Sequence, residues 1–206
     1  MFTGIVTAIG TIAKADQRGD LRLRIAAALD PARIDIGASI ACSGVCLTVV
    51  DRGGTAGDAW FDVDVSGETV SRTRAEMWAE GQRLNIEPSL RVGDELGGHI
   101  VTGHVDSVGE VVLAEATGDS LRIAIRARAE MAPFIAEKGS ITVEGVSLTV
   151  NDVRDRPDGT CDFLLNIIPH TGEVTTLGAL KVGERVNLEI DVLARYLKRM
   201  QSLAQT

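Results

Sequence analysis

The chain repeats its own sequence pattern after about one hundred residues. Three blocks recur in the same order: TGIV at 3–6 as TGHV at 102–105, GVCLTV at 44–49 as GVSLTV at 145–150, and GQRLNIE at 81–87 as GERVNLE at 183–189. Their spacing drifts by only three residues, between 99 and 102. The chain therefore consists of two copies of one unit, and each copy must form the same kind of fold.

The repeat divides the 206 residues into two domains of ordinary size for small folding units. The stretch LGGHIVTGHVD at 96–106 joins them. We expect a first domain at residues 1–95, a second at residues 96–190, and a C-terminal segment at residues 191–206.

The composition of the chain indicates which kinds of molecule it can bind. A net charge of −8 with 3% aromatic residues argues against a nucleic-acid surface, which needs clustered Lys and Arg and stacking rings. The apolar runs are shorter than the ~18 residues that a membrane-spanning helix needs. We expect a small-molecule ligand, no nucleic acid and no membrane.

Three cysteines, Cys42, Cys46 and Cys161, form no even set of disulfides. On one extended strand Cys42 and Cys46 would lie about 13 Å apart at ~3.3 Å per residue, too far to be bridged. No basic, apolar leader is visible at the start, so the expected location is the cytoplasm.

Short segments with period-two alternation predict about six antiparallel strands per copy. They fall at 2–12, 21–26, 39–51 (a pair broken at Ser43-Gly44), 59–65 and 83–87, and again at 102–113, 121–127, 140–143, 147–153, 161–167 and 185–189. Turns are expected at Gly53-Gly54 and Gly57-Asp58, and helical interludes at 68–78 and 129–137. Short strands with Gly-rich turns favour a small closed barrel in each copy, because closure removes exposed edges.

One long helix is predicted, at the C-terminus. Its apolar stripe consists of Leu193, Tyr196, Leu197, Met200 and Leu203 at helical spacing. Such a stripe must pack on something, either the barrels or a neighbouring subunit. Asp191 precedes the helix and fits the N-cap position.

Two histidines flank the second TG motif. His99 and His104 are five residues apart, which places them on opposite faces of a regular strand, so a shared metal ion is not expected. Without further context each is a surface or hydrogen-bonded residue beside a Gly-rich turn.

The GVCLTV and GVSLTV strands each carry a polar face. Cys46 and Thr48 share one face, with Leu47 on the opposite, core-facing side, and Ser147 and Thr149 repeat the arrangement. A simple solvent face explains the alternation equally well. The exchange of thiol for hydroxyl between otherwise matching copies favours two related ligand sites, one of them specialised.

Taken together, these residues resemble alpha-type riboflavin synthase. The matching motifs, in order, are MFTGIV, GASIACSGVCLTV, GDELGGHIVTGHVD, KGSITVEGVSLTV, IPHTGEVTTLG and VNLEID. The resemblance implies an all-β protein with two six-stranded Greek-key barrels and a C-terminal α-helix around which a homotrimer assembles. It also leaves open an association with lumazine synthase.

The implied reaction takes place between two identical substrates. Two molecules of 6,7-dimethyl-8-ribityllumazine are bound together at one site, and a four-carbon unit moves from one to the other to give riboflavin and 5-amino-6-ribitylaminouracil, with no cofactor and no metal. The substrate ring itself acidifies its C7 methyl group, so the protein mainly orients two rings and assists proton transfer.

The resemblance also implies site residues. Catalytic positions match His104, Cys46, Ser39 and Asp191, where His104 transfers a proton or polarises the ring, and Cys46 either positions the ring or adds to it transiently. Substrate contacts match Gly4, Ile5, Val6, Cys46, Leu47, Thr48, Asp64, Val65, Ser66, Gly67, Glu68, Thr69, Gly103, His104, Val105, Lys138, Ser147, Leu148, Thr149, Asn166, Ile167, Ile168, Pro169, His170 and Thr171.

The chain departs from the family pattern beside these positions. The first copy has Arg74-Ala75-Glu76 where the second has Thr176-Leu177-Gly178, and Pro88 and Gly172 replace a usual basic residue and a usual Leu. These changes bear on local loop geometry more than on activity.

Two other functions remain open: a non-catalytic lumazine or flavin carrier on the same fold, and a barrel protein without a ligand. A carrier is expected to have lost the GGHxxxGH pattern, which is intact at 97–104.

The site is further expected to lie between chains. The connection from Pro88 to Leu96 is about nine residues and spans at most ~30 Å, too little for two barrels of one chain to face each other. Cys46 also lies in the first copy, whereas His104, Ser147 and Asp191 belong to the second.

Overall fold

The computed structural model describes residues 1–204 and confirms the all-β fold with a C-terminal helix. The strands of the first copy are β1 (Ala8–Arg18), β2 (Asp20–Ala27), β3 (Ser39–Cys42), β4 (Val45–Thr55), β5 (Asp58–Val65) and β6 (Arg83–Pro88). They form a closed barrel in the order β1-β2-β5-β4-β3-β6. The consecutive strands β3, β4 and β5 are neighbours in the sheet, and β5 lies beside β2, which is the Greek-key arrangement.

The second copy repeats this order with one difference. Its strands are β7 (Ser107–Thr117), β8 (Ser120–Ala127), β9 (Ser140–Val143), β10 (Val146–Thr149), β11 (Asp152–Asp155), β12 (Cys161–Ile167) and β13 (Arg185–Ile190). They form an open seven-stranded sheet in the order β10-β9-β13-β7-β8-β12-β11. Strands β10 and β11 at its two ends correspond to the single strand β4, so the second barrel is interrupted in its fourth strand.

The interruption corrects the expectation of a second closed six-stranded barrel and of one strand at 147–153. Val150 exchanges two backbone hydrogen bonds with the turn before β9, since its N–H donates to Gly139 and its carbonyl accepts from Lys138. The next amide, Asn151, donates to Leu164 on β12 instead. In the first copy the equivalent change of partner produces only a bulge between Val49 and Asp51, and β4 continues.

Helices are short except at the C-terminus. They are α1 (Gly67–Arg72), α2 (Pro169–Val174) and α3 (Val192–Ala204), with 3-10 turns at Pro31–Arg33, Ala75–Trp78, Ala132–Phe134 and Thr176–Ala179. Asp30 caps the first of these turns, its carboxylate accepting from the Ala32 amide at 2.9 Å. The expected helical interludes and the tail helix are therefore confirmed.

Each sheet surrounds its own core. Alternate residues of β2, β5, β8 and β12 point inward, and Leu23, Ile25, Phe61, Ile123 and Phe163 are fully buried. Burial of a Phe, Leu or Ile side chain contributes about 1.5–3 kcal/mol, so these inward faces are the main stabilising feature of each unit.

Two strand starts and one turn differ from expectation. The strands expected from residues 2 and 102 begin at Ala8 and Ser107, because the preceding segments leave the sheets. Gly53-Gly54 lies inside β4 rather than in a turn. A Cβ at Gly53 would come within 2.5 Å of the Trp60 ring, so glycine there allows the strands to pair under an aromatic side chain.

The two units contact each other through two hairpin turns, Ser43-Gly44 and Glu144-Gly145. The Asn85 side chain donates to the Glu144 carbonyl at 2.9 Å, and the Asn187 side chain donates to the Ser43 carbonyl at 3.1 Å. The equivalent residues Asn85 and Asn187 thus make reciprocal contacts, which relate the units by an approximate two-fold axis.

Helix α3 lies against the second unit by its first turns only. Asp191 caps it, accepting from the Leu193 amide at 2.9 Å, and Arg195 pairs with Asp106 at 2.7 Å. Its apolar stripe remains open, with Tyr196 65% and Met200 67% exposed. Within residues 1–204, no helix is long and apolar enough to cross a membrane.

Candidate functional site

Two buried glutamates hold the two Thr-Gly motifs. Glu87 accepts from the amides of Thr3 (2.7 Å) and Gly4 (2.9 Å). Glu189 accepts from the amides of Thr102 (2.7 Å) and Gly103 (2.9 Å) in the same way. Burial raises the pKa of both carboxyl groups, while these hydrogen bonds act in the opposite direction.

Each Thr-Gly motif then reaches the other unit. The Gly4 carbonyl accepts from the Ser147 amide at 2.8 Å, and the Gly103 carbonyl accepts from the Cys46 amide at 2.9 Å. Phe2 and Val101 pair as an antiparallel bridge between the two segments. The copies therefore exchange their first residues across the approximate two-fold axis.

The residues that follow complete the exchange. Val6 packs against the core of the second unit, and Val105 packs against the core of the first. The expected contact residues consequently form two mixed groups. The first half-site consists of Cys46, Leu47, Thr48, Gly103, His104 and Val105, and the second half-site of Ser147, Leu148, Thr149, Gly4, Ile5 and Val6.

This grouping overturns one premise of the expected interchain site. Cys46 and His104 come from different copies, yet Gly103, the neighbour of His104, contacts Cys46 within one chain. The short connection does not keep the copies apart, because the exchanged segments bring them together. Whether a complete site needs a second chain stays a prediction.

The polar faces of the GVCLTV and GVSLTV strands point outward, as the alternation of polar and apolar residues predicted. Thr48 and Thr149 are exposed on the outside of the barrels, and Cys46 and Ser147 are half-buried beside the exchanged glycines. Leu47 lies in the first core, whereas Leu148 is only partly buried against the second. The outward residues of both strands are therefore accessible to a ligand.

The remaining contact residues follow β5 and β12. Ser66 caps α1 by accepting a hydrogen bond from the Thr69 amide at 3.2 Å. Asp64 is exposed and forms a bidentate salt bridge with Arg22. That arginine lowers the pKa of Asp64. Exposed positions in the two groups are Asp64, Ser66, Gly67, Glu68, Asn166, Ile168, Pro169 and His170, with Thr69 and Thr171 half-buried.

Val65 and Ile167 are buried in the cores. Any ligand contact they make must therefore use their backbone rather than their side chains.

Lys138 has a positive φ of 63°, where its counterpart in the first copy is Gly37 at 86°. Both amides donate to the fourth strand, at Val150 and Val49. A non-glycine residue is strained in this conformation, and such strain is concentrated at functional positions. The positive φ of Lys138 agrees with the expectation that this residue contacts the substrate.

Ser39 and Asp191 lie at different half-sites. Ser39 is directly opposite Thr48 in the β3-β4 pairing, beside the first half-site. Asp191 caps α3, and its charge acts on His99 next to the second half-site.

His99 carries more contacts than the sequence indicated. Its Nδ1 lies 2.7 Å from the Ser147 hydroxyl and its Nε2 lies 3.1 Å from the Thr142 hydroxyl. The GGHxxxGH pattern marked this residue, but nothing in the sequence showed which hydroxyls it would contact.

The unusual first-copy sequence at Arg74-Ala75-Glu76 joins the units. Arg74 pairs with buried Glu144 at 2.9 Å, and Glu76 pairs with Arg185. The partners in these two ion pairs are 70 and 109 residues apart, so no local sequence pattern predicted that they would pair. These residues line a groove of about 790 Å³ between the units.

The fold and these contacts define a duplicated β-barrel protein in which the expected contact residues form two equivalent groups, each completed by a segment of the other copy. The family model for the lumazine binding domain matches twice, at residues 3–89 and 102–191.

The chain is 47% identical to riboflavin synthase of Brucella abortus (strain 2308), over 97% of this chain and 98% of the relative. It is 42% identical to riboflavin synthase of Mycobacterium tuberculosis (strain ATCC 25618 / H37Rv), over 99% of this chain and 100% of that protein. The chain belongs to the riboflavin synthase family of lumazine-binding proteins.

A solved structure shares the fold. The crystal structure of LumP complexed with riboflavin matches with a TM-score of 0.76 and 25% identity, covering 92% of this chain and 99% of LumP.

Proposed function

We propose that this chain is a riboflavin synthase. It converts two molecules of 6,7-dimethyl-8-ribityllumazine into riboflavin and 5-amino-6-ribitylaminouracil. The observation that supports the proposal is the exchange of the Thr-Gly motifs, which brings the expected contact residues of the duplicated sequence into two groups of matching backbone geometry. Two matching half-sites fit a reaction whose two substrates are the same molecule.

The protein contributes orientation and proton transfer. The four-carbon unit lost by one lumazine is gained by the other, so the atoms balance between the two bound molecules. Holding two rings in reactive alignment can contribute about 7–11 kcal/mol, and a general acid or base about 10²–10⁴ in rate. Exposed His104 is the proposed proton-transfer group, and half-buried Cys46 contacts the ring beside it.

We further propose that the complete site forms between chains of a homotrimer, with the first half-site of one chain facing the second half-site of its neighbour. Thr48, His104 and Thr149 all lie open on the surface of the single chain, which supports this arrangement. The open apolar stripe of α3 supports assembly through that helix.

The proposed location is the cytoplasm. Cys42, Cys46 and Cys161 are all free thiols, as is usual in a reducing compartment.

Incubation of the purified protein with the lumazine tests the proposal. Riboflavin fluorescence that rises with time, with one pyrimidine product formed per riboflavin, is expected of the enzyme. A constant binding signal without product would instead indicate a carrier. LumP, which shares the fold, has been solved in complex with riboflavin. Absence of both signals would indicate a protein that assembles without this ligand.

A further inference from the structure

The second half-site contains a chain of hydrogen bonds that the first lacks. It runs from the Ser147 hydroxyl to His99 Nδ1 (2.7 Å) and from His99 Nε2 to the Thr142 hydroxyl (3.1 Å). We propose that His99 is a positioning residue that fixes the direction of the Ser147 hydroxyl, and that the two half-sites are therefore chemically unequal. This inference rests on the proposed function and refines it.

The backbone holds His99 in place from the other copy. Its amide donates to the Thr3 carbonyl at 3.2 Å, so the exchanged Thr3-Gly4 segment anchors it. A Cβ at Gly98 would lie 2.1 Å from the Thr3 carbonyl oxygen and 2.8 Å from Ser147 Cβ. Only glycine fits at position 98, where the backbone passes against Ser147, and the next residue, His99, reaches the Ser147 hydroxyl.

The ring is anchored at both nitrogens by hydroxyl groups. Thr142 is buried and lies opposite Ser147 in the β9-β10 pairing, so the ring bridges two neighbouring strands. A neutral imidazole has one donor and one acceptor nitrogen, and each nitrogen here has a single hydroxyl partner. Burial lowers the pKa of His99, with the Asp191 charge acting against it, which agrees with a neutral ring.

The first half-site has a different environment at the equivalent positions. Ala41 stands where the second copy has Thr142, and Cys46 stands where it has Ser147. Cys46 packs instead against a small apolar cluster of Phe2, Ala41 and Val101. Within residues 1–204, no imidazole is hydrogen-bonded to the Cys46 side chain.

The difference assigns different tasks to the two half-sites. A thiol in apolar surroundings offers the bound ring a polarizable contact without a fixed direction. When Nδ1–H of the neutral imidazole donates to the Ser147 oxygen, the hydroxyl keeps its own hydrogen for the bound ring. It then donates a hydrogen bond of fixed direction, which stabilises negative charge developing in the transition state without reorganisation. The lumazine in the second half-site is therefore the one whose ring is polarised by a directed hydroxyl.

Substitutions of His99 by side chains that mimic one ring nitrogen or the other test whether His99 positions the Ser147 hydroxyl. An Asn side chain places its amide near the position of Nδ1, whereas Gln reaches the position of Nε2. We expect His99→Leu and His99→Gln to lower kcat at least about tenfold with KM changed by less than about threefold. His99→Asn keeps a partner for the Ser147 hydroxyl but loses the Thr142 anchor, so we expect it to lower kcat only about threefold. Equal loss in the Asn and Leu variants, or a loss confined to KM, would overturn the proposal.

A double-mutant cycle separates positioning from a general structural effect. If His99 acts through Ser147, then His99→Leu has no further effect on kcat in a Ser147→Ala background. An equal loss in both backgrounds would show that His99 acts elsewhere.

Thr142 provides a second, independent series if the His99 variants do not fold. Thr142→Val is expected to lower kcat about threefold to tenfold, and Thr142→Ser to restore it, because only the hydroxyl anchors Nε2. Equal kcat values for the Val and Ser variants would contradict the inference. Wild-type protein that fails to form riboflavin would instead contradict the proposed function, so the two failures are distinguishable.

Discussion

The amide of Cys46 donates a hydrogen bond to the carbonyl of Gly103, 2.9 Å away, although the two residues belong to different copies of the repeat. The Ser147 amide makes the equivalent bond to Gly4 at 2.8 Å. Each polar strand is therefore covered by a segment from the other copy, and neither half-site is the product of one domain alone.

Gly103→Ala tests this close approach. A Cβ at Gly103 would lie 2.6 Å from Cys46 Cβ, and φ is +78°, so the variant combines a steric clash with backbone strain. We expect lumazine conversion to fall at least about tenfold, since a misplacement of about 1 Å can cost 10²-fold. Gly19→Ala is the matched control, with φ +90° and no atom within 4 Å of the added Cβ. Similar activity in both variants would show that the contact is unimportant.

Arg74→Ala should weaken the contact between the units. Glu144 is only 1% exposed, and removing Arg74 takes away its cationic partner and leaves the Asn187 amide as a hydrogen-bond donor to the carboxylate. Breaking a buried pair in this way typically costs about 3–5 kcal/mol. Glu76→Ala breaks the exposed Glu76–Arg185 pair and should cost about 0–1 kcal/mol. Urea unfolding of both variants measures the difference, and equal costs would refute the assignment.

His99 should make stability depend on pH. Burial lowers its folded-state pKa below the ordinary value of 6.5, so the unfolded chain binds the proton more readily. The free energy of unfolding therefore decreases as the pH falls through 6.5, until the folded-state pKa is passed. Denaturant titrations from pH 7.5 to about 5 should show a smaller slope for His99→Asn than for wild type. An identical slope in both proteins would exclude this contribution.

Truncation before Leu193 should dissociate the oligomer and leave both units folded. The side chains of Leu193, Tyr196 and Leu197 are 60–65% exposed in the single chain and contribute little to the cores. Sedimentation measures the mass, and far-UV circular dichroism checks the fold. A truncated protein that retains the mass of the full chain would contradict assembly through α3.

Mixing of variants that are each impaired in a different half-site tests whether sites form between chains. Cys46→Ala damages the first half-site and Ser147→Ala damages the second, so mixed oligomers contain some interfaces with two intact half-sites, and activity should partly return. Cys46→Ala mixed with His104→Ala is the control: both changes lie in the first half-site, and no recovery is expected. Differential tagging confirms the mixing. Recovery absent from both mixtures would place each complete site within one chain.

Much of the fold was accessible from local patterns. Period-two alternation placed most strands correctly, and the repeat predicted that Cys46 and Ser147 occupy equivalent positions. The errors occurred where the backbone leaves the sheet. Residues 2–6 and 102–105 carry strand-like residues but cross to the other unit, because Glu87 and Glu189 bind their amides in place of a neighbouring strand.

The sequence by itself determined the duplicated unit, the inward and outward faces of its strands, and the capped C-terminal helix, since these depend on periodicity and neighbouring residues. Only the tertiary structure decided which copy completes which half-site, the split of the fourth strand at Val150, and the bond between His99 and Ser147. The half-site pairing and the His99–Ser147 hydrogen bond depend on contacts between residues 48 to 143 positions apart. The split at Val150 depends on hydrogen bonds of Val150 and Asn151 to residues 11 to 13 positions away. Neither kind of contact follows from the alternation of polar and apolar residues along a strand.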